Sequence, residues 1–342
     1  MNIGEIKLAV QTPEYDFLRT NENLGNNIIL LGLGGSHAYG TENENSDLDV
    51  RGVATNSKRN ILIGADFEQF VETETDTTIY SFDKIVKLLC SCNPNTIEIL
   101  GLKPEHYLYL SPAGRALVEN RRMFLSKRAI HSFGGYANAQ LRRLENKAAR
   151  LVSQSQQEAN ILKSINHAQV DYKAKYLNAP EDAIKLYIDK AIHEGYDTEI
   201  FMDISLTHYP LRDYADMWGD MKAIIKSYGK IGKRNEKAIG HDKLGKHMMH
   251  LVRLYLMCFD ILESGEIKTY RDKEHDFLMS IRNGKYLDEN RQPTQEFYEI
   301  VDKLENHLEY LKDHTGLPDD VNMSQVHDFV MSVNDEVCKG TA

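Results

Sequence analysis

The chain has 342 residues, of which 42% are hydrophobic and 9% aromatic, enough for a buried core and more typical of two domains than of one. Its net charge is −10, and residues 1–120 carry most of it, with 9 Lys and Arg against 17 Asp and Glu. Apolar runs of about 18 residues, an export signal and CxxC pairs are all missing, which argues against a membrane span, secretion and a structural zinc site. A cytoplasmic location is the default expectation.

The first third of the chain alternates between strand and helix patterns. Thr12 and Pro13 suit the start of a short helix, and the apolar run within 26–35 suits a strand that is buried on both faces. The β-branched and aromatic segment 76–82 is typical of another strand. An amphipathic helix follows it, and Asn93 can cap a further helix. These elements predict a small mixed sheet with flanking helices.

From residue 115 onward, nearly every segment has the period of a helix, with breaks at glycine and proline. We therefore expect an α/β domain at 1–115 and an all-α domain at 116–342. The last 40 residues contain only an amphipathic helical pattern and carry no functional signal.

The stretch GLGGSHAYGTENENSDLDVRG, at 32–52, combines a glycine-rich turn with acidic residues. A dinucleotide-binding fingerprint would need glycine in place of His37, and a P-loop would need a lysine that this stretch lacks. What remains is a turn at Gly35 and Ser36 between a buried strand and a short helix. Its backbone N–H groups and serine hydroxyl can hold phosphate oxygens.

The segment SDLDVRGVA alternates polar and apolar residues, which predicts a strand with Asp47, Asp49 and Arg51 on one face. Two neighbouring carboxylates repel each other unless a cation lies between them, so joint binding of Mg²⁺ explains the pair. A solvated edge strand with two aspartates is the alternative interpretation.

Together, these features resemble the DNA polymerase beta nucleotidyltransferase superfamily. GSHAYG followed by SDLDVRG is similar to the GSxAYG…SDxDxRG form of an RlaP-like family of predicted nucleotidyltransferases found beside RNA-repair genes. The similarity extends to the segments DTTIYSFDKIVKLLCSCNPNTIEILG, GGYANAQLRRL and KHMMHLVRLYLMCFDILESGEI, and so covers most of 28–285. Gly35, Ser36, Asp47 and Asp49 are its most specific positions.

The resemblance implies a catalytic domain at 1–115 that moves a nucleoside monophosphate from a nucleoside triphosphate, with ATP expected, to a hydroxyl acceptor. Asp47 and Asp49 would bind two Mg²⁺ or Mn²⁺ ions, and Asp76 would supply a third carboxylate. Glu72 and Glu74 lie nearby, and a one-strand shift would put Glu74 in that role. The residues expected to bind the nucleotide are Gly35, Ser36, Arg51, Lys246, His250 and Arg253.

A stripe of cationic residues near 243–262 is a second indication of anion binding. Lys243, Lys246, His250 and Arg253 follow 3–4–3 spacing on a helix that is otherwise apolar. Burying such charges is costly unless they face an anion, and a triphosphate would serve. Pairing with acidic residues of the first domain is the alternative. The same spacing recurs at Tyr136, Gln140, Arg143 and Lys147, which could line the cleft or face solvent.

The acceptor stays open at this stage. The basic stretches 121–150 and 222–253, together with the RNA-repair resemblance, favour an RNA end, with tRNA as one candidate. A protein hydroxyl modified with AMP is the second choice, and a cationic small molecule such as an aminoglycoside is the third. An antitoxin-like nucleotidyltransferase, or a nucleotide sensor without catalytic activity, is the alternative class.

Overall fold

The structure is a computed structural model, which describes residues 2–44, 46–148, 183–190, 192, 198–232, 244–289 and 291–340. Its strands are β1 Ile28–Leu33, β2 Val50–Ala54, β3 Gln69–Glu72, β4 Thr77–Ser81, β5 Tyr107–Leu110, β6 Ile184–Lys190 and β7 Thr198–Ile204. Its α-helices are α1 Ile3–Ala9, α2 Phe17–Thr20, α3 Gly35–Tyr39, α4 Lys58–Ile63, α5 Phe82–Cys90, α6 Pro94–Ile97, α7 Pro112–Glu119, α8 Arg128–Ala148, α9 Leu211–Gly232, α10 Leu244–Ser264, α11 His275–Arg282, α12 Gln295–His314 and α13 Met323–Lys339.

The first five strands form one mixed sheet in the order β3-β4-β2-β1-β5. β1 pairs antiparallel with β2 and β5, and all six of its residues are buried, as its apolar run predicts. β2 and β4 are parallel neighbours, and the connection between them contains α4 and the edge strand β3. The predicted mixed sheet with flanking helices is confirmed.

Several local predictions also agree with the structure, and others are wrong in detail. Asn93 caps α6, because its side chain accepts a hydrogen bond from the backbone N–H of Asn95, and Pro94 occupies the first helical position. The helix predicted over 12–23 is split into a 3₁₀ turn and α2. The short edge strands β3 and β5 were not predicted.

The alternating segment 46–54 enters the sheet later than its pattern predicts, since β2 begins only at Val50. Ser46 is engaged instead in a local turn, where its hydroxyl bonds to the side chain of Asn43 at 3.0 Å and its N–H to the carbonyl of Asn43 at 3.0 Å. Such local bonds compete with the sheet ladder. Asp47 and Asp49 therefore precede the strand instead of sharing one of its faces.

The described chain divides into two compact units. One contains 1–142, 245–286 and 295–342, and the other contains 143–244 and 287–294. The division does not coincide with the expected boundary at 115, because α7, the start of α8, nearly all of α10, and α11 to α13 belong to the same unit as the sheet. None of the helices in the described ranges is long and apolar enough to cross a membrane.

The second unit holds an antiparallel pair, β6 and β7, inside a region that the sequence predicts to be helical. Both strands alternate apolar and polar residues, and Ile184, Leu186, Met202 and Ile204 pack against buried Met217 and Met221 of α9. Of the described residues, those at 244–339 are mostly helical, as predicted, and form α10 to α13.

Candidate active site

The sheet register brings Asp49 and Asp76 together at one edge of the sheet. Each aspartate directly precedes a strand, and the two strands, β2 and β4, are parallel neighbours whose first residues, Val50 and Thr77, are partners. The backbone N–H of Val50 donates to the carbonyl of Asp76 at 3.3 Å, which extends the pairing to the two aspartates. The parallel arrangement thus places both carboxylates side by side.

The two carboxyl groups form a hydrogen bond with each other and titrate as a pair. Burial, and secondly this hydrogen bond, raise the pKa of Asp49 to about 7. The same hydrogen bond is the largest cause that lowers the pKa of Asp76 below its ordinary value. Below about pH 7, Asp49 is therefore the protonated member of the pair. A cation can take the place of that proton.

Arg51 compensates part of the negative charge of this pair. Its Nη2 lies 3.2 Å from Oδ1 of Asp76 and 3.6 Å from Oδ1 of Asp49. Its Nη1 donates to the carbonyl of Val50 at 3.0 Å and to that of Asp76. The guanidinium lowers the pKa of both carboxyls, although burial and the hydrogen bond with Asp76 outweigh it at Asp49. Asp49 and Arg51, which the sequence places on one strand face, therefore form an ion-pair network together with Asp76.

The structure gives Asp76 and Glu74 different surroundings. Asp76 has a backbone φ of 43°, in the left-handed region that aspartate tolerates better than most residues, and this conformation ends the turn before β4. Glu74 lies exposed within that turn, and its backbone N–H donates to the side chain of Glu72 at 3.3 Å. Of the acids at 72–76, Asp76 is the one whose carboxyl group adjoins Asp49.

Asp47 lies two residues before Asp49 and is exposed. The structure brings Asp49 and Asp76 into contact, but Asp47 is not part of that contact. Within the described ranges, no three His, Cys, Asp or Glu side chains are grouped so that they could hold a metal ion. The Asp49–Asp76 pair still fits a divalent cation, because carboxylate oxygens are the ligands Mg²⁺ prefers and a cation can take the place of the Asp49 proton.

Gly35 lies directly beneath the Asp49 carboxylate. Its φ is +53°, and a Cβ added there would lie 1.6 Å from Oδ2 of Asp49, so only glycine fits. The backbone N–H of Gly34 donates to the carbonyl of Asp49 at 2.8 Å, and Ser36 follows in α3 as a buried residue. The predicted glycine-serine turn and the acid pair are thus in direct contact.

The predicted cationic stripe on α10 divides into two parts. Lys246 is exposed, and its positive charge lowers the pKa of both Asp49 and Asp76, so its ammonium group lies within electrostatic range of the pair. Arg253 is buried, and its Nη2 lies 2.8 Å from Nδ1 of His250. Lys243 lies outside the described residues.

The second predicted stripe is only partly described. The Tyr136 ring meets the His250 ring edge-on at 6.0 Å, and Gln140 is buried. The side chains of Arg143 and Lys147 lie outside the described part of the chain. The contact between Tyr136 and His250 joins the first half of α8 to α10.

Two contacts near the site involve residues without a predicted role. The hydroxyl of Tyr39 donates to Oε2 of Glu98, and Arg282 donates from Nη1 to the carbonyl of Thr41 and from Nη2 to Oγ of Ser46 at 3.3 Å. Tyr39 and Glu98 belong to segments that carry the family resemblance, which is the signal that could have indicated them. Arg282 has no such signal.

The chain is similar in sequence to a known family and to a phage protein. Residues 11–169 match RlaP, the RNA repair pathway DNA polymerase beta family. This match confirms, for that segment, the resemblance to an RlaP-like family of the DNA polymerase beta superfamily. The chain is also 23% identical, over 329 residues that cover 87% of it and 94% of the relative, to an uncharacterized 38.9 kDa protein from the nrdC–mobD intergenic region of Enterobacteria phage T4. No solved structure matches the chain.

Proposed function

We propose that this chain, RlaP-like over 11–169, is a metal-dependent nucleotidyltransferase that moves a nucleoside monophosphate from a nucleoside triphosphate to a hydroxyl acceptor. One observation carries the proposal: Asp49, which is next to Asp76 across the β2–β4 pairing, lies against the glycine-serine turn at Gly35. Acids and a phosphate-binding turn in contact are the two parts that such a transfer needs.

The reaction is an in-line displacement at the α-phosphorus. A bond forms between the acceptor oxygen and the α-phosphorus, the bond from that phosphorus to the bridging oxygen breaks, and pyrophosphate leaves. The acceptor's proton passes to water. Bound Mg²⁺ or Mn²⁺ would offset the charge on the entering and leaving oxygens.

Each residue of the site has a role in this proposal. Asp49 and Asp76 hold the cations together with Asp47, once the exposed carboxylate of Asp47 turns toward them. The N–H groups and the hydroxyl at Gly35 and Ser36 bind the β- and γ-phosphates. The residues that supply positive charge at the acid pair are Arg51 and Lys246. Arg253 supplies a further charge on α10, with Nδ1 of His250 as its hydrogen-bond acceptor.

An RNA end is the acceptor we favour, with tRNA as one candidate. The matching family is an RNA repair pathway family, and the segments 121–150 and 222–253 are rich in lysine and arginine. ATP is the first nucleotide to test. A protein hydroxyl that receives AMP is the second choice, and an antitoxin-like transferase would use the same chemistry.

The position of Asp47 favours a second candidate of another class. If Asp47 stays exposed when nucleotide binds, only two carboxylates are available, and the protein would act as a nucleotide sensor without transfer. This candidate shares the phosphate-binding turn and the acid pair with the first, and differs from it in the third carboxylate alone.

Incubation with each α-labelled nucleoside triphosphate and Mg²⁺, first alone and then with total RNA, separates these candidates. Label on RNA supports the favoured acceptor, and label on the protein supports AMP transfer to a hydroxyl of the protein. Binding without any transfer supports the sensor. Asp49→Ala and the isosteric Asp49→Asn are expected to abolish transfer in a folded protein, whereas Glu74→Gln, an exposed neighbour, is the matched control. Transfer by Asp49→Asn at the wild-type rate would overturn the metal-dependent mechanism.

A further inference from the structure

Three segments that are far apart in the sequence meet at the side chain of Tyr39. Tyr39 ends the GSHAYG turn, Glu98 lies in the NPNTIE segment, and Arg253 lies on α10. The Tyr39 hydroxyl donates to Oε2 of Glu98, and the guanidinium carbon of Arg253 lies 3.3 Å from the centroid of the Tyr39 ring. We refer to these three residues as the Tyr39 anchor.

The anchor is enclosed and has further support behind it. The Tyr39 side chain is only 2% exposed, and Arg253 is 8% exposed. Arg253 contacts Nδ1 of His250 at 2.8 Å, and the carbonyl of Glu98 accepts a hydrogen bond from Oγ1 of Thr269 at 2.6 Å. His250 lies one turn before Arg253 on α10, and Thr269 lies beyond the end of that helix.

The short helix α3 depends on such an anchor for its orientation. It has five residues, about 7.5 Å in length, and a helix this short is not stable by itself in water. Its first residue, Gly35, lies against the Asp49 carboxylate, and its last residue, Tyr39, is held by the anchor. A tilt at Tyr39 would therefore displace Gly35 and Ser36 relative to the acids.

The anchor holds α3 through charged groups, Glu98 and Arg253, although apolar packing could also fix so short a helix. Buried charged groups often contribute less to stability than well-packed hydrophobic residues of the same volume, because of their desolvation penalty. What they provide is direction, since a hydroxyl-carboxylate bond and a guanidinium stacked on a ring each permit a narrow range of geometry. The chemistry of the anchor thus suits exact placement better than it suits stability.

We propose that Tyr39, Glu98 and Arg253 are positioning residues, which hold the Gly35–Ser36 turn in register with Asp49 so that a bound nucleotide meets the acid pair. This inference rests on the proposed function. It assigns Arg253 to the support of α3 instead of to direct contact with the triphosphate, and it gives Glu98 a role.

Conservative variants test the proposal, because they keep volume while removing the hydroxyl or the charge. Tyr39→Phe removes one oxygen, Glu98→Gln removes the charge, and Arg253→Lys removes the planar group that stacks on the ring. Tyr255→Phe is the matched control, since Tyr255 is another buried tyrosine, on α10, and its hydroxyl donates to Glu305 at 3.2 Å.

Two quantities are measured on each full-length variant: the dissociation constant for a fluorescent non-hydrolysable ATP analogue in Mg²⁺, and the midpoint of urea unfolding. We expect Tyr39→Phe to weaken nucleotide binding by about tenfold, the effect of one hydrogen bond to a charged group, and Glu98→Gln to weaken it less, because glutamine keeps an oxygen that can accept the bond. The double variant should bind no more weakly than Tyr39→Phe, because without the hydroxyl no bond remains for the charge of Glu98 to strengthen. Tyr255→Phe should lose a similar amount of stability and bind within about twofold of wild type.

The outcomes separate the anchor from the proposed function. Equal binding by wild type and by both Tyr39→Phe and Glu98→Gln would overturn the anchor and leave the proposed function standing. An equal loss in Tyr255→Phe would also overturn it, since the effect would then follow stability alone. If the wild type binds no nucleotide at all, the proposed function fails, and the anchor, which rests on it, fails as well.

Discussion

Gly35→Ala is the substitution for which the structure gives the sharpest expectation. An ideal Cβ at Gly35 would lie 1.6 Å from Oδ2 and 2.6 Å from Cγ of Asp49, whereas Cβ contacts shorter than 3.0 Å essentially never occur. The Asp49 carboxylate would therefore have to move by about 1.4 Å or more. Such a shift breaks its hydrogen bond with Asp76 and its register with the glycine-serine turn.

The consequence is a large loss of activity with a modest loss of stability. A displacement of about 1 Å at a reacting group can lower the rate by about 100-fold, so we expect transfer to fall by at least that factor. The positive φ of +53° adds about 1–2 kcal/mol of backbone strain when glycine is replaced by alanine. The label-transfer assay measures the first effect, and urea unfolding measures the second.

Gly64→Ala is the control for backbone strain. Gly64 has a φ of +69°, and a Cβ there would meet nothing within 4 Å. This variant should therefore lose about 1–2 kcal/mol of unfolding free energy without losing activity. If Gly35→Ala transferred label as well as Gly64→Ala does, the contact between the turn and the acid pair would have no part in the reaction, and the reasoning from Gly35 would be refuted.

Three further predictions follow from other parts of the site. The pKa of Asp49 is raised to about 7 in the folded protein, so folding favours its neutral form. As the pH rises from about 4 to about 7, the metal-free protein should therefore lose unfolding free energy, by up to about 1.4 kcal/mol per pH unit. Urea unfolding in EDTA measures this slope, and Asp49→Asn should remove it. Arg282→Gln should lower transfer by about tenfold, because it removes the bonds from Arg282 to Thr41 and Ser46 that hold the segment 41–49. Lys285→Gln, an exposed neighbour, should leave transfer unchanged. Equal rates for the two variants would contradict a role of Arg282 in holding this segment. Asp47→Asn should change stability by less than about 0.5 kcal/mol but reduce transfer by about 100-fold, and unimpaired transfer would remove Asp47 from the metal site.

Local patterns were sufficient to predict the parts of the site that are contiguous in sequence. The apolar run before Gly35 and the acids after it predict a strand, a turn and a carboxylate site, and the structure places Gly35 against Asp49. The partner of Asp49 depends on strand pairing, however. Asp76 adjoins Asp49 only because β2 and β4 are parallel and in register from Val50 and Thr77 onward.

Long-range contacts account for most of what the sequence did not predict. The spacing of Lys246, His250 and Arg253 places these three side chains on one helix, as in the structure, but it does not predict the groups that they contact. Arg253 faces Tyr39 and Glu98, which precede it by more than 150 residues, and Arg282 contacts Thr41 across 241 residues. Helical periodicity determines which side chains share a face, whereas the partner of that face depends on the tertiary fold.

The charges of the site suggest why a nucleotide and its metal ions should bind together. With Asp49 protonated, as it is below about pH 7, the Asp76 carboxylate and the Arg51 guanidinium sum to zero, so the pair is then balanced in the absence of any ligand. A divalent cation that replaces the proton leaves an excess positive charge beside Arg51 and Lys246, which opposes its binding alone. A triphosphate without the cation would be repelled by the negative charge of the acid pair. Each ligand therefore removes the electrostatic obstacle to the other. An acid pair with its own arginine thus favours binding of cation and nucleotide together over binding of either ligand alone.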